Sequence, residues 1–421
     1  MMTPQAQRRH EEKSRRFYAA VDHREPDRVP IHVNSQIYAV MQAGYTMKEC
    51  IYDKTMQKAL EASKKFMLTY DTDITNSLCA YAGEGELMEL VSPKYMSWAG
   101  RSGYNISENS IQQFMERPTL QDDGLDLFFE DNGTWRLTRC QPNLCDLYEP
   151  LRSFRIPFSS RTPTALAEEL SKPAMREMIE KCWQLDELVK ESKKYKAEAN
   201  RELREMGFLS LMGGKACVPY DEWGDEYRGS MMCLTDLYEN PEAVARFIDR
   251  YQEEMISRIK SFNPDGSKNG KTVVMTLHRG MDGFLSEKVY RDVYWRHLQE
   301  IIEAIMSVGM IPSIFCEGSY ATRLDLLRDI PRGRIMYTFE YTPLDLCKKK
   351  LGDIATIVGG IRTADLNFST PDKVTDAVKK CIDDAAAGGG YIFRTTSGID
   401  LAKPENVEAM FDTLHAYGKY R

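Results

Sequence analysis

The sequence predicts an α/β protein built on a (β/α)₈ TIM-type barrel, and two observations lead there. Eight short apolar runs recur along the 421 residues, and amphipathic helical patterns separate most of them. The runs are also nearly continuous in apolarity instead of alternating, as parallel strands covered on both faces must be.

The expected strands are Arg28–Val33, Tyr70–Asn76, Phe208–Gly214, Thr272–Leu277, Ile311–Glu317, Arg334–Glu340, Ile354–Gly360 and Gly389–Thr395. A helix is expected over Pro241–Phe262, with Val244, Phe247, Ile248, Tyr251, Met255 and Ile259 on one face. Another spans Ser286–Met310, with Tyr290, Val293, Tyr294, Leu298, Ile301, Ile302 and Ile305 on its apolar side. Thr370-Pro371-Asp372 and Pro404-Glu405-Asn406 open two more, each with Pro in the first turn. A helical extension precedes the first strand. The interval from Asn76 to Phe208 holds a long excursion between strands 2 and 3, with a polar stretch at Arg117–Asn132 and a charged helix at Ala174–Glu205. No clean linker occurs, so residues 1–421 read as a single domain. The rival, an open doubly wound sheet, usually has a Gly-rich turn after its first strand, and Val33-Asn34-Ser35-Gln36 is not one.

Composition narrows the function classes. Hydrophobic residues make up 42% of the chain, enough for a large core, and the net charge of −7 argues against a broad nucleic-acid-binding face. No apolar run approaches the ~20 residues of a membrane helix. Met1–Arg16 is polar and charged, unlike a secretory signal, so a cytoplasmic location is expected. The ten cysteines are scattered without a CxxC pair and read as reduced thiols. Most of the 22 methionines read as core filler.

Several phrases occur in an order that resembles the uroporphyrinogen decarboxylase superfamily over nearly the whole chain. They are Arg24-Glu25-Pro26-Asp27-Arg28-Val29-Pro30, Ile314-Phe315-Cys316-Glu317-Gly318, Val358-Gly359-Gly360, Gly388-Gly389-Gly390-Tyr391-Ile392 and Lys403-Pro404-Glu405-Asn406-Val407. The resemblance is strongest from Thr272 onward. It implies a barrel enzyme that is either a porphyrinogen decarboxylase or a corrinoid-dependent methyltransferase. The decarboxylases resemble one another in an Arg-rich stretch after the first strand that holds substrate carboxylates. Here that stretch, Asn34–Gln42, contains no arginine, and a polycarboxylate in a buried pocket needs several cationic partners. The family's thiol methyltransferases are similar in a His-x-Cys near the fifth strand end and a Cys near the eighth, which bind zinc. The matching places here read Phe315-Cys316-Glu317 and Thr395-Thr396-Ser397, which departs from that cysteine site.

A replacement site follows from barrel geometry, because functional residues sit at the C-terminal ends of the strands. His278 follows the fourth strand, Glu317 ends the fifth and Glu340 ends the sixth. Three consecutive strand ends converge within reach of one ion, and one histidine with two carboxylates and an open fourth position suits catalytic zinc. Glu340 could instead pair with Arg362 or Arg394. Cys316 points to the opposite face from Glu317 and reads as packing. In Arg279-Gly280-Met281-Asp282-Gly283-Phe284, Arg279 reads as part of a loop capped by Ser286, and Asp282 is a catalytic candidate at the mouth. Trp223 and Tyr220, in the aromatic and acidic stretch Tyr220–Tyr227, are candidate substrate contacts, the bland alternative being a solvated acidic loop.

Carboxylate ligands leave zinc a harder Lewis acid than thiolates do and suit an oxygen such as that of an aryl methyl ether. Some O-demethylating methyltransferases of the superfamily similarly hold zinc with Glu and His. The resemblance then implies methyl transfer from a small, possibly aromatic, methylated donor to a cobalt corrinoid (cobalamin) on a separate partner protein. The alternatives are a decarboxylase of a non-porphyrin carboxylated substrate and a non-catalytic binding barrel.

Overall fold

Runs rich in Val, Ile and Phe must be covered on both faces, and six of the expected eight become regular strands of one parallel sheet. The computed structural model describes residues 2–75, 77–156 and 162–420. A small antiparallel pair, β1 (Met96–Ser97) with β2 (Gln113–Phe114), lies in the excursion. The parallel sheet runs β3 (Met212–Lys215), β4 (Thr272–Leu277), β5 (Ile311–Cys316), β6 (Met336–Phe339), β7 (Thr356–Gly359) and β8 (Tyr391–Phe393), in that spatial order. Helices Pro241–Lys260, Arg296–Ser307, Leu344–Leu351 and Pro371–Ala385 precede β4, β5, β7 and β8, and Pro404–Tyr417 follows. This is an α/β architecture of TIM type, as expected.

The first two expected strands are corrected to isolated bridges. Ile31 pairs in parallel with Phe393, and Ile74 with Leu209. Pro30 lacks an N–H and cannot extend a ladder as donor. Tyr70 closes the helix Gln57–Tyr70, and Asp71 turns the chain with φ +46. Only Thr72–Thr75 is left for pairing, and Asn76 lies outside the described residues. Backbone bonds from His32 N to Phe393 O, Asp73 N to Ile31 O and Thr75 N to Leu209 O still give both edges of the six-stranded sheet hydrogen-bonded neighbours.

One end of the sheet is plugged. Helix Pro4–Val21, capped by the Thr3 hydroxyl, sets Phe17, Ala20 and Val21 against Ile311 and Met336, the first residues of β5 and β6, and against Ile74, Val358 and Ile392. Charge fixes the plug in place. The buried Asp73 carboxylate pairs with Arg16 and with Arg28 at 2.8 Å, lies 3.7 Å from Lys13, and accepts the Ile31 N–H at 2.8 Å. With the N-terminal ends of the strands sealed, the C-terminal ends are left for chemistry. Among the described residues, no helix is long and apolar enough to cross a membrane.

Removing one partner from a buried ion network strands the others, which is costly. Asp73→Asn should therefore destabilise the protein by about 3–5 kcal/mol, read as a lower urea midpoint with an unchanged slope. An unchanged midpoint would show that the plug does not depend on this carboxylate.

Candidate active site

The register of three parallel strands builds the site. Leu277, Cys316 and Phe339 stand side by side across β4, β5 and β6. One residue further on each strand comes His278, Glu317 and Glu340. Adjacent strands lie about 4.8 Å apart, and alternation turns these three side chains to the face opposite Cys316. The sheet thus brings the three predicted residues to one rim. His278 Nε2 lies 3.7 Å from Glu317 Oε2. Glu340 Oε2 accepts the Gly318 N–H at 2.8 Å, and Gly318 adopts φ +79, a conformation open to glycine. Among the described residues, no ion pair joins Glu340 to Arg362 or Arg394. Arg362 lies over Tyr341 and Arg394 over Phe315.

His278 is held from behind. Its Nδ1 donates to Asp225 Oδ2 at 2.6 Å, which turns Nε2 toward Glu317. Asp225 also binds Arg279 Nη1 at 2.6 Å. Asp221, fully buried, accepts the Arg279 N–H at 2.9 Å, the His278 N–H at 3.2 Å and the Tyr294 hydroxyl. Asp221 and Asp225 are four residues apart, on one face of the helical stretch formed by Pro219–Glu222 and the π-helical turn Trp223–Arg228. Tyr294 lies in a second π-helical turn, Tyr290–Trp295. Such wide turns recur at functional sites. Gly224 is also required: a Cβ there would stand 2.2 Å from the Arg279 guanidinium.

These contacts set the protonation states. The bond to Asp225 raises the His278 pKa above its ordinary value, against the opposing effect of burial. Burial pushes the Asp225 carboxyl up, but His278 and Arg279 outweigh it, and the net shift is downward. Burial pushes Asp221 up to about 6, with the Tyr294 hydroxyl opposing. Burial, then Glu340 and Asp225, push Glu317 upward, with His278 resisting.

Three expected roles change. Trp223 and Tyr220 are fully buried. Trp223 Nε1 donates to Asp236 at 2.9 Å, Tyr220 donates to the Cys233 carbonyl at 2.9 Å, and the Trp223 ring packs on Phe247. They are core residues here, not a pocket wall, because the helical stretch turns its aromatic face inward and its Asp221/Asp225 face toward the site. Asp282 is occupied as a fastener: it takes the Ser319 hydroxyl at 2.7 Å and the Thr322 hydroxyl at 2.6 Å, tying the loop after β4 to the loop after β5. Cys316 packs in the core, its thiol pushed well up by burial. Sequence reasoning missed Asp221, Asp225 and Tyr294. The i, i+4 spacing of the two aspartates was the available signal.

The sequence profile described as uroporphyrinogen decarboxylase (URO-D) matches residues 168–417. Among curated proteins, the chain is 29% identical over 140 residues to a uroporphyrinogen decarboxylase from Methylobacillus flagellatus, covering 32% of this chain and 38% of that one. It is 22% identical over 197 residues to one from Pseudoalteromonas atlantica, covering 43% and 50%. The chain thus spans half or less of the curated relatives it matches. A methyltransferase from Methanosarcina mazei superposes with a TM-score of 0.58 at 13% identity, over 96% of this chain and 98% of that one, which shows a shared fold.

In metal-free protein the His278 ring should titrate above its ordinary value of roughly 6.5. Asp225→Asn removes the anion that favours imidazolium, so the pKa should fall toward or below that value. Histidine NMR titration reads both. An identical pKa in the variant would remove Asp225 from its assigned role.

Proposed function

The chain belongs to the uroporphyrinogen decarboxylase (URO-D) family, and we propose that it is a methyltransferase. It moves a methyl group from a small methylated donor, an aryl methyl ether, to the cobalt of a corrinoid on a separate protein, with zinc held by His278, Glu317 and Glu340. The observation that carries this reading is the in-register placement of one imidazole and two carboxylates just past the Leu277–Cys316–Phe339 row.

The donor set fits zinc in three respects. Histidines that ligate metals commonly donate their other ring N–H to a carboxylate, as His278 does to Asp225. Glu317 and Glu340 repel one another, and a cation between them would relieve this. The set contains nitrogen and oxygen but no sulfur, as suits a hard Lewis acid. Among the described residues, no three potential ligands already stand at metal-binding separation. His278 and Glu317 are the preset pair, and Glu340, held by Gly318, completes the set through its side chain. When bound, zinc would polarise the ether oxygen and stabilise the phenolate that leaves.

The remaining work falls to the chain itself. Asp225 and Arg279 fix the imidazole, Asp221 anchors the backbone that carries both residues, and the Asp282 fastener shapes the mouth where donor and corrinoid must meet. All ten cysteines are unpaired, which supports a reducing, cytoplasmic setting.

Protein purified without chelator should hold about one zinc per chain. Glu317→Ala should lose it and slow methyl transfer on the order of a hundredfold or more, with folding intact by circular dichroism. Full metal content and activity in Glu317→Ala or His278→Ala would overturn the ligand assignment.

Porphyrinogen decarboxylation should be absent, because no arginine lies in Asn34–Gln42 to hold a polycarboxylate. Conversion of uroporphyrinogen to coproporphyrinogen at an enzymatic rate would contradict this.

A further inference from the structure

Four buried arginines in this protein are given a carboxylate, and two more, Arg101 and Arg323, donate to backbone carbonyls and lie over aromatic rings. Arg16 and Arg28 share Asp73, Arg228 holds Asp236 and Asp122, and Arg279 holds Asp225. Arg394, which is half-buried, has neither a carboxylate nor a carbonyl partner among the described residues. It follows β8 on the same inward face as Ile392, and its guanidinium lies 5.6 Å from the centre of the Phe315 ring. Among the described residues, no ion pair or side-chain hydrogen bond reaches it. Burial depresses its pKa, and no acidic neighbour opposes that shift.

What Arg394 faces is a cavity of about 320 Å³ inside the sheet. The rest of the polar lining is neutral. His32 is held uncharged, its pKa lowered to about 3 by burial and by Arg394. Asn34, Thr75, Ser313 and Thr338 add hydrogen-bonding groups, and the buried Thr75 hydroxyl has no partner. A partly desolvated cation without a counterion carries a cost, which an anion entering the cavity would offset. The lining suits one negative charge, with one guanidinium and neutral donors; Glu317 and Glu340 do not line the cavity but follow Ser313 and Thr338 on the same face of β5 and β6, where they would repel a dianion. The volume is at the small end of ligand pockets.

We infer that Arg394 anchors the carboxylate of a small monoanionic methyl donor inside the sheet, with the donor's methyl end toward His278, Glu317 and Glu340. This deepens the methyltransferase reading and rests on it for the donor's chemistry. Arg394 would be a specificity residue: it selects methylated aromatic acids over neutral ethers.

Calorimetric titration of the metal-free protein tests this with 4-methoxybenzoate, its uncharged counterpart anisole, and inorganic phosphate. The expected result is saturable binding of 4-methoxybenzoate with a Kd on the order of 1 mM or tighter, and weakening by about tenfold or more for anisole, for phosphate and in Arg394→Met. Arg394→Lys should fall between. Without ligand, Arg394→Met should melt no lower than the wild type, since it removes an unpaired charge. The inference fails if the wild type does not bind 4-methoxybenzoate. It fails equally if anisole, phosphate or Arg394→Met matches the wild-type interaction, or if Arg394→Met melts lower. The two readings separate cleanly. Arg394-dependent binding without methyl transfer would leave the anion pocket and remove the functional reading. Undiminished methyl transfer from 4-methoxybenzoate in Arg394→Met would do the reverse.

Discussion

A carboxylate shut away from water organises the working end of this protein. Asp221 is fully buried and takes the backbone N–H groups of His278 and Arg279 together with the Tyr294 hydroxyl. Those bonds fix the turn at which β4 leaves the sheet, and so fix where the His278 ring and the Arg279 guanidinium begin. Asp225, on the same helical face, receives both side chains. Burial pushes the Asp221 carboxyl up to about 6, against the Tyr294 hydroxyl, so its charge has to be held by hydrogen bonds. Such a group persists where the surrounding donors over-determine it. The His278 and Arg279 N–H groups and the Tyr294 hydroxyl, the last carried by a π-helical turn, are those donors.

Much of this was legible in the residues, and the reasons are specific. Strand ends at His278, Glu317 and Glu340 could be read because continuous apolar runs stop there, and parallel register then delivers neighbouring ends to one rim. The first two strands were overestimated because apolarity does not report pairing: Pro30 and the left-handed Asp71 cut each to a single bridge. Trp223 and Tyr220 misled because large aromatics mark a mouth and a core equally well in sequence. The carboxylates that hold His278 and Arg279 were hidden for a different reason. Asp221 and Asp225 lie more than fifty residues before the histidine and arginine they hold, and only the fold closes that distance.

Two kinds of electrostatic design coexist in the molecule. At the plugged end, charges are fully paired around Asp73, and the result is rigidity. At the open end, charges are left wanting: Glu317 shares a rim with Glu340, with His278 and Arg279 as its cationic neighbours, and among the described residues Arg394 has no ion pair. Unmet charge is tolerated where a ligand completes it. The acidic rim and the cationic lumen therefore read as two halves of one binding arrangement, a cation at the mouth and an anion beneath it.

X-ray absorption spectroscopy of the zinc-loaded chain reveals whether sulfur takes part in the zinc site proposed at the rim. The expected spectrum shows a first shell of nitrogen and oxygen only, with the outer-shell scattering of a single imidazole. A sulfur shell at about 2.3 Å, or a spectrum unchanged by Glu317→Ala, would place the metal away from His278, Glu317 and Glu340.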